Sequence, residues 1–302
     1  MQSTDHRGRA LPLICALWLI WSYNWIVVKE GLQFSGPFDF SALRCIFGSA
    51  VMFALLKLSG RSLAPPPLGR CFLLGLFQTT GFLCFSSWAL VEGAVGKSAV
   101  LIYTFPFWTL LFARLALGEK IRGLQWLGVT LAAGGLVLLL EPWNSAGNQF
   151  SRVLAVLSGV SWAISTIIAK HWRGRDDFDL LRVTTWQLLL GGIVCSAIAF
   201  AVPEKPVVWN GYFILLISAS GIVATAFGWM LWLHILKHLS AGVAGLGMMA
   251  VPALGVFFSR MHYAETFNRT EIFGMLLLAA SLLLLAWFNA RQSAPLPSTR
   301  PE

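Results

Sequence analysis

If this chain does chemistry, it must draw on 13 acids, 5 histidines and 5 cysteines. Their placement excludes most of the choices. None of the acids falls in the middle of an apolar run, so no carboxylate is set for proton coupling inside a membrane. Cys15, Cys45, Cys71, Cys84 and Cys195 all lie within apolar stretches, odd in number and without metal-ligand spacing. They read as small packing residues, with no disulfide and no metal expected. There is no hydrolytic triad and no phosphate-cradling glycine loop; residues 245–249, GLGMM, read as a small-residue helix face. The chain is therefore not expected to be an enzyme or to carry a cofactor. What remains is a set of aromatic and neutral polar side chains inside apolar sequence, which suits binding of a small molecule.

Trp18, Trp21 and Trp25 are spaced i, i+3, i+7 and share one helical face. Trp162 heads a similar face with Ser165 and Thr166. Such rings offer flat walls for stacking or cation–π contact; helix packing and lipid contact are the plainer uses. Gln78 and Phe82 share a face with Phe85, one turn before Trp88, and Tyr103 stands one turn before Pro106. Buried amides in lipid must find partners or face water, which makes Asn24, Gln78 and Gln187 candidates to orient cargo; an interhelical hydrogen bond is their structural alternative. His234 is a cavity donor or an interfacial polar tip. Arg44 is either a carboxylate binder or an anchor near the outer rim, and Lys97 snorkels to the interface. The substrate-site candidates are thus Trp21, Asn24, Gln78, Phe82, Tyr103, Trp162, Gln187 and His234.

The elements that position these residues follow from composition. Of 302 residues, 57% are hydrophobic and 12% charged, with a mean hydropathy of +0.72. A soluble domain carries about 25% charged residues. Ten windows reach the roughly 20 apolar residues of a membrane span: 11–29, 40–58, 69–90, 97–117, 122–140, 152–171, 180–202, 211–235, 241–260 and 270–290. They are too long and continuous for barrel strands. The first contains three tryptophans and lacks a small-x-small cleavage site, so it reads as a span rather than a signal peptide. Assigning Lys and Arg to alternate loops puts 15 on the side of the N-terminus and 6 on the other, with Arg44 inside a span. Cytoplasmic loops carry the basic excess, so both termini are expected in the cytoplasm. The net charge of +9 then faces anionic headgroups, with no nucleic-acid partner.

The chain also writes the same punctuation twice. Residues 105–121, FPFWTLLFARLALGEKI, align with 251–267, VPALGVFFSRMHYAETF, at an offset of 146: Pro106 with Pro252, Arg114 with Arg260, Glu119 with Glu265. Gly128 matches Gly274, and Trp88 matches His234. Trp21 and Lys29 match Trp162 and Lys170 at an offset of 141. Each half holds five spans, an odd number, so the second half enters the membrane from the opposite side. This is an inverted-topology repeat, whose substrate site lies near the midplane between the halves. Pro106 and Pro252 are expected hinges or fixed bends. Glu119 and Glu265 are expected gates or, more simply, acids accepting from the next helix's first amides.

These residues resemble a family. WSYNWIVVKEGL at 21–32, ALRCIFGSA at 42–50 and the run from Gly93 to Leu139 resemble the EamA-type repeat of the drug/metabolite transporter superfamily. GVSWAISTIIAKHW, TTWQLLLGG and 240–285 resemble its second copy. The resemblance implies an all-α multi-pass membrane protein of ten transmembrane helices in two inverted repeats. The repeats are 11–141 and 151–290, with cytoplasmic tails 1–10 and 291–302. It implies a bacterial inner-membrane exporter or facilitator, with a cavity lined by helices 1, 3, 4, 6, 8 and 9. YddG-like members of the family handle aromatic amino acids. The cargo expected here is an amino acid, aromatic or neutral, or a similar small metabolite, and the oligomeric state stays open, with a monomer sufficient. An anionic sugar-phosphate or nucleotide-sugar cargo needs several cavity cations, and only Arg44 and Lys97 lie near. A non-transporting partner protein would need soluble loops that are absent.

Overall fold

The computed structural model describes residues 3–118, 120–121, 123–143, 148–172, 179–232 and 250–292, with side chains from 12 to 285 and at 287. Glu119 and His234 lie outside the described residues. The described residues contain no strand and form ten helices. In the first half these are α1 Ser3–Gly31, α2 Pro37–Leu58, α3 Leu68–Glu92, α4 Val95–Leu117 and α5 Leu124–Leu140. In the second half they are α6 Gln149–Trp172, α7 Leu180–Ala201, α8 Gly211–Trp232, α9 Ala250–Tyr263 and α10 Arg269–Gln292. Seven, α1 to α4 and α6 to α8, are long and apolar enough to cross a bilayer, and α5 is a shorter apolar helix.

Local chemistry sets the helix limits. Pro37 opens α2, where its missing N–H costs nothing. Asp179 accepts from the amides of Leu181 and Arg182 at the start of α7, and Asn210 from Phe213 at the start of α8. Asn268 and Glu271 exchange side chain–amide bonds at the start of α10, a capping box. Gly118 ends α4 in the left-handed conformation at φ 67. Large apolar side chains face outward, Phe200 at 96% exposure and Leu58 at 83% among them. A water-facing surface rarely tolerates this; lipid accepts it.

Helix α4 breaks where the sequence suggests one continuous span. Tyr103 and Thr104 form a turn between Val95–Ile102 and Phe105–Leu117. Pro106 cannot donate to the carbonyl of Ile102. That freed carbonyl abuts Gly159 of α6, where an added Cβ would stand 2.6 Å from it. Helices α3 and α8 each contain a π-helical segment, Leu76–Gly81 and Ala219–Phe227. At the 146-residue offset, 76–81 maps onto 222–227. Both halves therefore widen the same helix at the same place, as π segments often do at functional positions. The wider turn shifts the faces on either side, so Gln78 and Phe85 do not keep the single face that regular helical spacing suggests.

The packing is two-fold symmetric. The most extensive contacts join mates, α5 with α10 and α2 with α7. Gly128 lies against Leu285 of α10 and accepts from the Ser281 hydroxyl. Their repeat mates Gly274, Leu139 and Gly135 make the reciprocal contacts. An added Cβ on Gly135 would stand 2.7 Å from the Gly274 carbonyl. Likewise Gly221 lies against the Arg44 carbonyl and Gly48 against Thr225, while Gly75 lies against the Gln187 carbonyl and Gly191 against Thr79. Small residues let backbones approach closely, the usual glue between membrane helices.

Candidate substrate site

Trp162 of α6 sits at the centre of an aromatic cluster drawn from both halves. Its ring centroid lies 4.7 Å from Phe82 of α3, 6.0 Å from Phe105 of α4 and 5.9 Å from Trp229 of α8. Tyr103, in the α4 break, is 5.7 Å from Phe105. These edge-on and tilted geometries suit the ring quadrupoles, and all five rings are partly exposed. Tyr103 also packs against the buried residues Ile14, Leu17 and Val251, as do Trp18 and Trp21 of α1 and Trp232 of α8. Trp21 is 6.2 Å from Trp232 and donates its indole N–H to the Ala224 carbonyl at 2.9 Å, inside the π segment.

The repeat makes Trp21 the mate of Trp162 and Gly228 the mate of Phe82. Each tryptophan lies over the residue that follows a π segment. Trp162 rests on the Phe82 ring; Trp21 rests on Gly228, where a Cβ would be 2.5 Å from the indole nitrogen. The α3 segment is tied to α6 by hydroxyls: Ser161 donates to the Phe77 carbonyl at 2.9 Å and Ser158 to the Phe82 carbonyl at 2.8 Å.

Of the sequence-expected residues, the fold thus gathers Phe82, Tyr103 and Trp162, and Trp21 packs against the same buried cluster as Tyr103. Gln78 lies half-buried in the π segment, and its side chain makes no hydrogen bond to another described residue. Asn24 is buried, and its Oδ1 has no hydrogen-bond partner among the described residues. Gln187 is at the α3–α7 contact, where neither its Oε1 nor Thr79 Oγ1 has a hydrogen-bond partner among the described residues. Arg44 is buried within α2, donating from Nε to Thr225 Oγ1 of α8 at 2.7 Å, a tie between helices. Trp229 and Phe105 escaped the sequence reading. Their signals were present, in the i, i+3 pair Trp229 and Trp232 and in the repeated proline motif, but aromatic residues are too common in this chain for either to stand out.

The end of the bundle that carries the α1–α2, α3–α4, α5–α6, α7–α8 and α9–α10 turns is knit by polar groups. Lys29 donates to the carbonyls of Leu90, Val91 and Gly93 at the end of α3, where the helix dipole favours a cation. Glu265 accepts from the amides of Gly96 and Lys97 at 2.9 and 3.3 Å, and from Ser259. It therefore caps α4, its packing neighbour, rather than the helix that follows it in the chain. Glu204 accepts from the first amides of α2, Phe38 and Asp39, although burial pushes its carboxyl above the usual range. Lys97 pairs with Glu271 rather than snorkelling, and Arg152 lies 3.1 Å from Glu141 and 3.8 Å from Glu271. Tyr263 donates to Glu30 at 2.7 Å. Pro252 lies buried early in α9, beside the Val251 carbonyl that accepts from Ser22 of α1.

Comparison with known proteins agrees with this architecture. The model of the EamA-like transporter family matches twice, over residues 8–141 and 149–287. The uncharacterized transporter YoaV of Bacillus subtilis is 24% identical over 287 residues, covering 92% of this chain and 97% of its own. The uncharacterized inner membrane transporter YedA of Escherichia coli strain K12 is 25% identical over 293 residues, covering 91% of each. A crystal structure aligns with a TM-score of 0.66 over 95% of this chain and 99% of the other at 18% identity, which speaks to the fold alone. Two family matches that together span both halves, on a helical bundle whose contacts obey the repeat, place this chain in the EamA-like transporter family as a multi-pass membrane transporter.

Proposed function

We propose that the chain is a secondary transporter that moves amino acids, aromatic or neutral, or similar small metabolites across the bacterial inner membrane by alternating access. It acts as an exporter or facilitator, without chemical change to the cargo, and both termini lie in the cytoplasm. The carrying observation is the ring cluster around Trp162, contributed by α3 and α4 of one repeat and α6 and α8 of the other. Rings from both halves at one point give a flat-walled site that changes shape when the halves rock. Asn24 and Gln78 are the polar groups that orient the cargo, and Asn24 Oδ1 is buried with no hydrogen-bond partner among the described residues. The family and the names of its relatives support transport at the membrane. An anionic sugar-phosphate fits less well, because Arg44 is held by Thr225 and Lys97 by Glu271.

The test is Trp162→Ala in proteoliposomes. Uptake is expected to fall about tenfold, about 1.4 kcal/mol, with Trp162→Phe retaining most of it. Equal amounts of folded protein and unchanged uptake in Trp162→Ala would remove this site.

A further inference from the structure

Three of the five cysteines, 39 and 111 residues apart along the chain, meet at one point. Cys45 of α2, Cys84 of α3 and Cys195 of α7 are buried together, at 0%, 5% and 0% exposure. Cys84 Sγ and Cys195 Sγ are 3.5 Å apart, and Cys45 packs in the same buried cluster. Gly192 makes the approach possible, since a Cβ there would stand 2.7 Å from Cys45 Cβ. Arg44 adjoins them. Its guanidinium is buried and has no carboxylate partner among the described residues.

We propose that Cys45, Cys84 and Cys195 form an oxidisable thiol centre at the seam between the repeats, in which Cys195 closes a disulfide with Cys84. The oxidant is a small uncharged peroxide, with hydrogen peroxide the simplest. The Cys195 sulfur attacks one peroxide oxygen and the O–O bond breaks. The departing hydroxide takes the thiol proton and leaves as water, giving a sulfenic acid. The Cys84 sulfur then attacks the sulfenic sulfur; the S–S bond forms and the sulfenic oxygen leaves as a second water with the Cys84 proton. Two thiols lose two electrons and two protons, and one peroxide becomes two waters. The second step is fast because its partners already touch. The bond staples α7 of the second repeat to α3 of the first, and on the transport reading above it arrests the rocking of the halves until a reductant releases it.

The experiment treats purified full-length protein with hydrogen peroxide, denatures it, alkylates with N-ethylmaleimide and maps the peptides by mass. A linked peptide containing Cys84 and Cys195 in most of the protein, lost on dithiothreitol, is expected, with Cys71 still free. In Cys84→Ser the link is expected to move to Cys45–Cys195. Full alkylation of Cys84 and Cys195 at a dose that oxidises the more exposed Cys15 overturns the proposal and leaves the transport reading intact. A disulfide that forms while uptake continues unchanged supports the thiol centre and contradicts the rocking of α3 against α7.

Discussion

Trp21 and Trp162 are copies of one ancestral residue, yet Trp21 spends its indole N–H on a backbone carbonyl while Trp162 meets three other rings. The difference traces to one neighbour, Gly228 in place of Phe82. Gly228→Ala places a methyl group 2.5 Å from the Trp21 indole nitrogen. The ring must move and release Ala224, so unfolding in detergent is expected to require about 1–3 kcal/mol less, read from a thermal melt. An unchanged melt would mean that α1 and α8 separate easily. At this scale the sequence was informative where spacing carries information. Helical periodicity singled out Trp21, Trp162, Phe82 and Tyr103, which the fold gathers into one region. It was silent on contacts across long stretches of chain. Cys45, Cys84 and Cys195 look like unrelated packing residues until α2, α3 and α7 assemble, and Gln187 meets Gly75 instead of the aromatic cluster.

Helix limits were legible from apolar length, capping residues and proline. The departures from regular helix were not, apart from Pro106. The π segments have no local signature, because a widened turn is stabilised by what it packs against: Gly191 beside Thr79 and Gly48 beside Thr225. Adjacent glycines in α5 give a direct test of close approach. A Cβ at Gly134 would meet only a Leu277 methyl at 3.8 Å, whereas one at Gly135 would stand 2.7 Å from the Gly274 carbonyl. Gly134→Ala is expected to be neutral or to stabilise by up to about 1 kcal/mol through helix propensity. Gly135→Ala is expected to destabilise by about 1–3 kcal/mol, since the backbone of α10 cannot yield as a side chain can. Equal effects of the two in denaturant titrations would contradict the packing of α5 on α10.

For the molecule as a whole, the five turns on one side are joined to one another by Lys29, Glu204, Glu265, Tyr263 and the Lys97–Glu271–Arg152–Glu141 network. The helix order puts this side opposite the termini, which the proposed topology places in the cytoplasm. Glu265→Gln weakens the cap on α4, so hydrogen exchange at residues 96–99 is expected to quicken, roughly tenfold for a loss of about 1.4 kcal/mol. Unaltered exchange there would show that the cap does not hold this end. The measurement that bears most directly on the account is uptake of a labelled amino-acid panel by the purified protein in liposomes, with and without a pH gradient. Uptake of aromatic or other neutral amino acids, indifferent to the gradient, is the predicted result, because none of the acids falls in mid-span. Uptake that requires the gradient would contradict the uncoupled mechanism and direct attention to His234. No uptake of any amino acid by folded protein would contradict the assigned cargo.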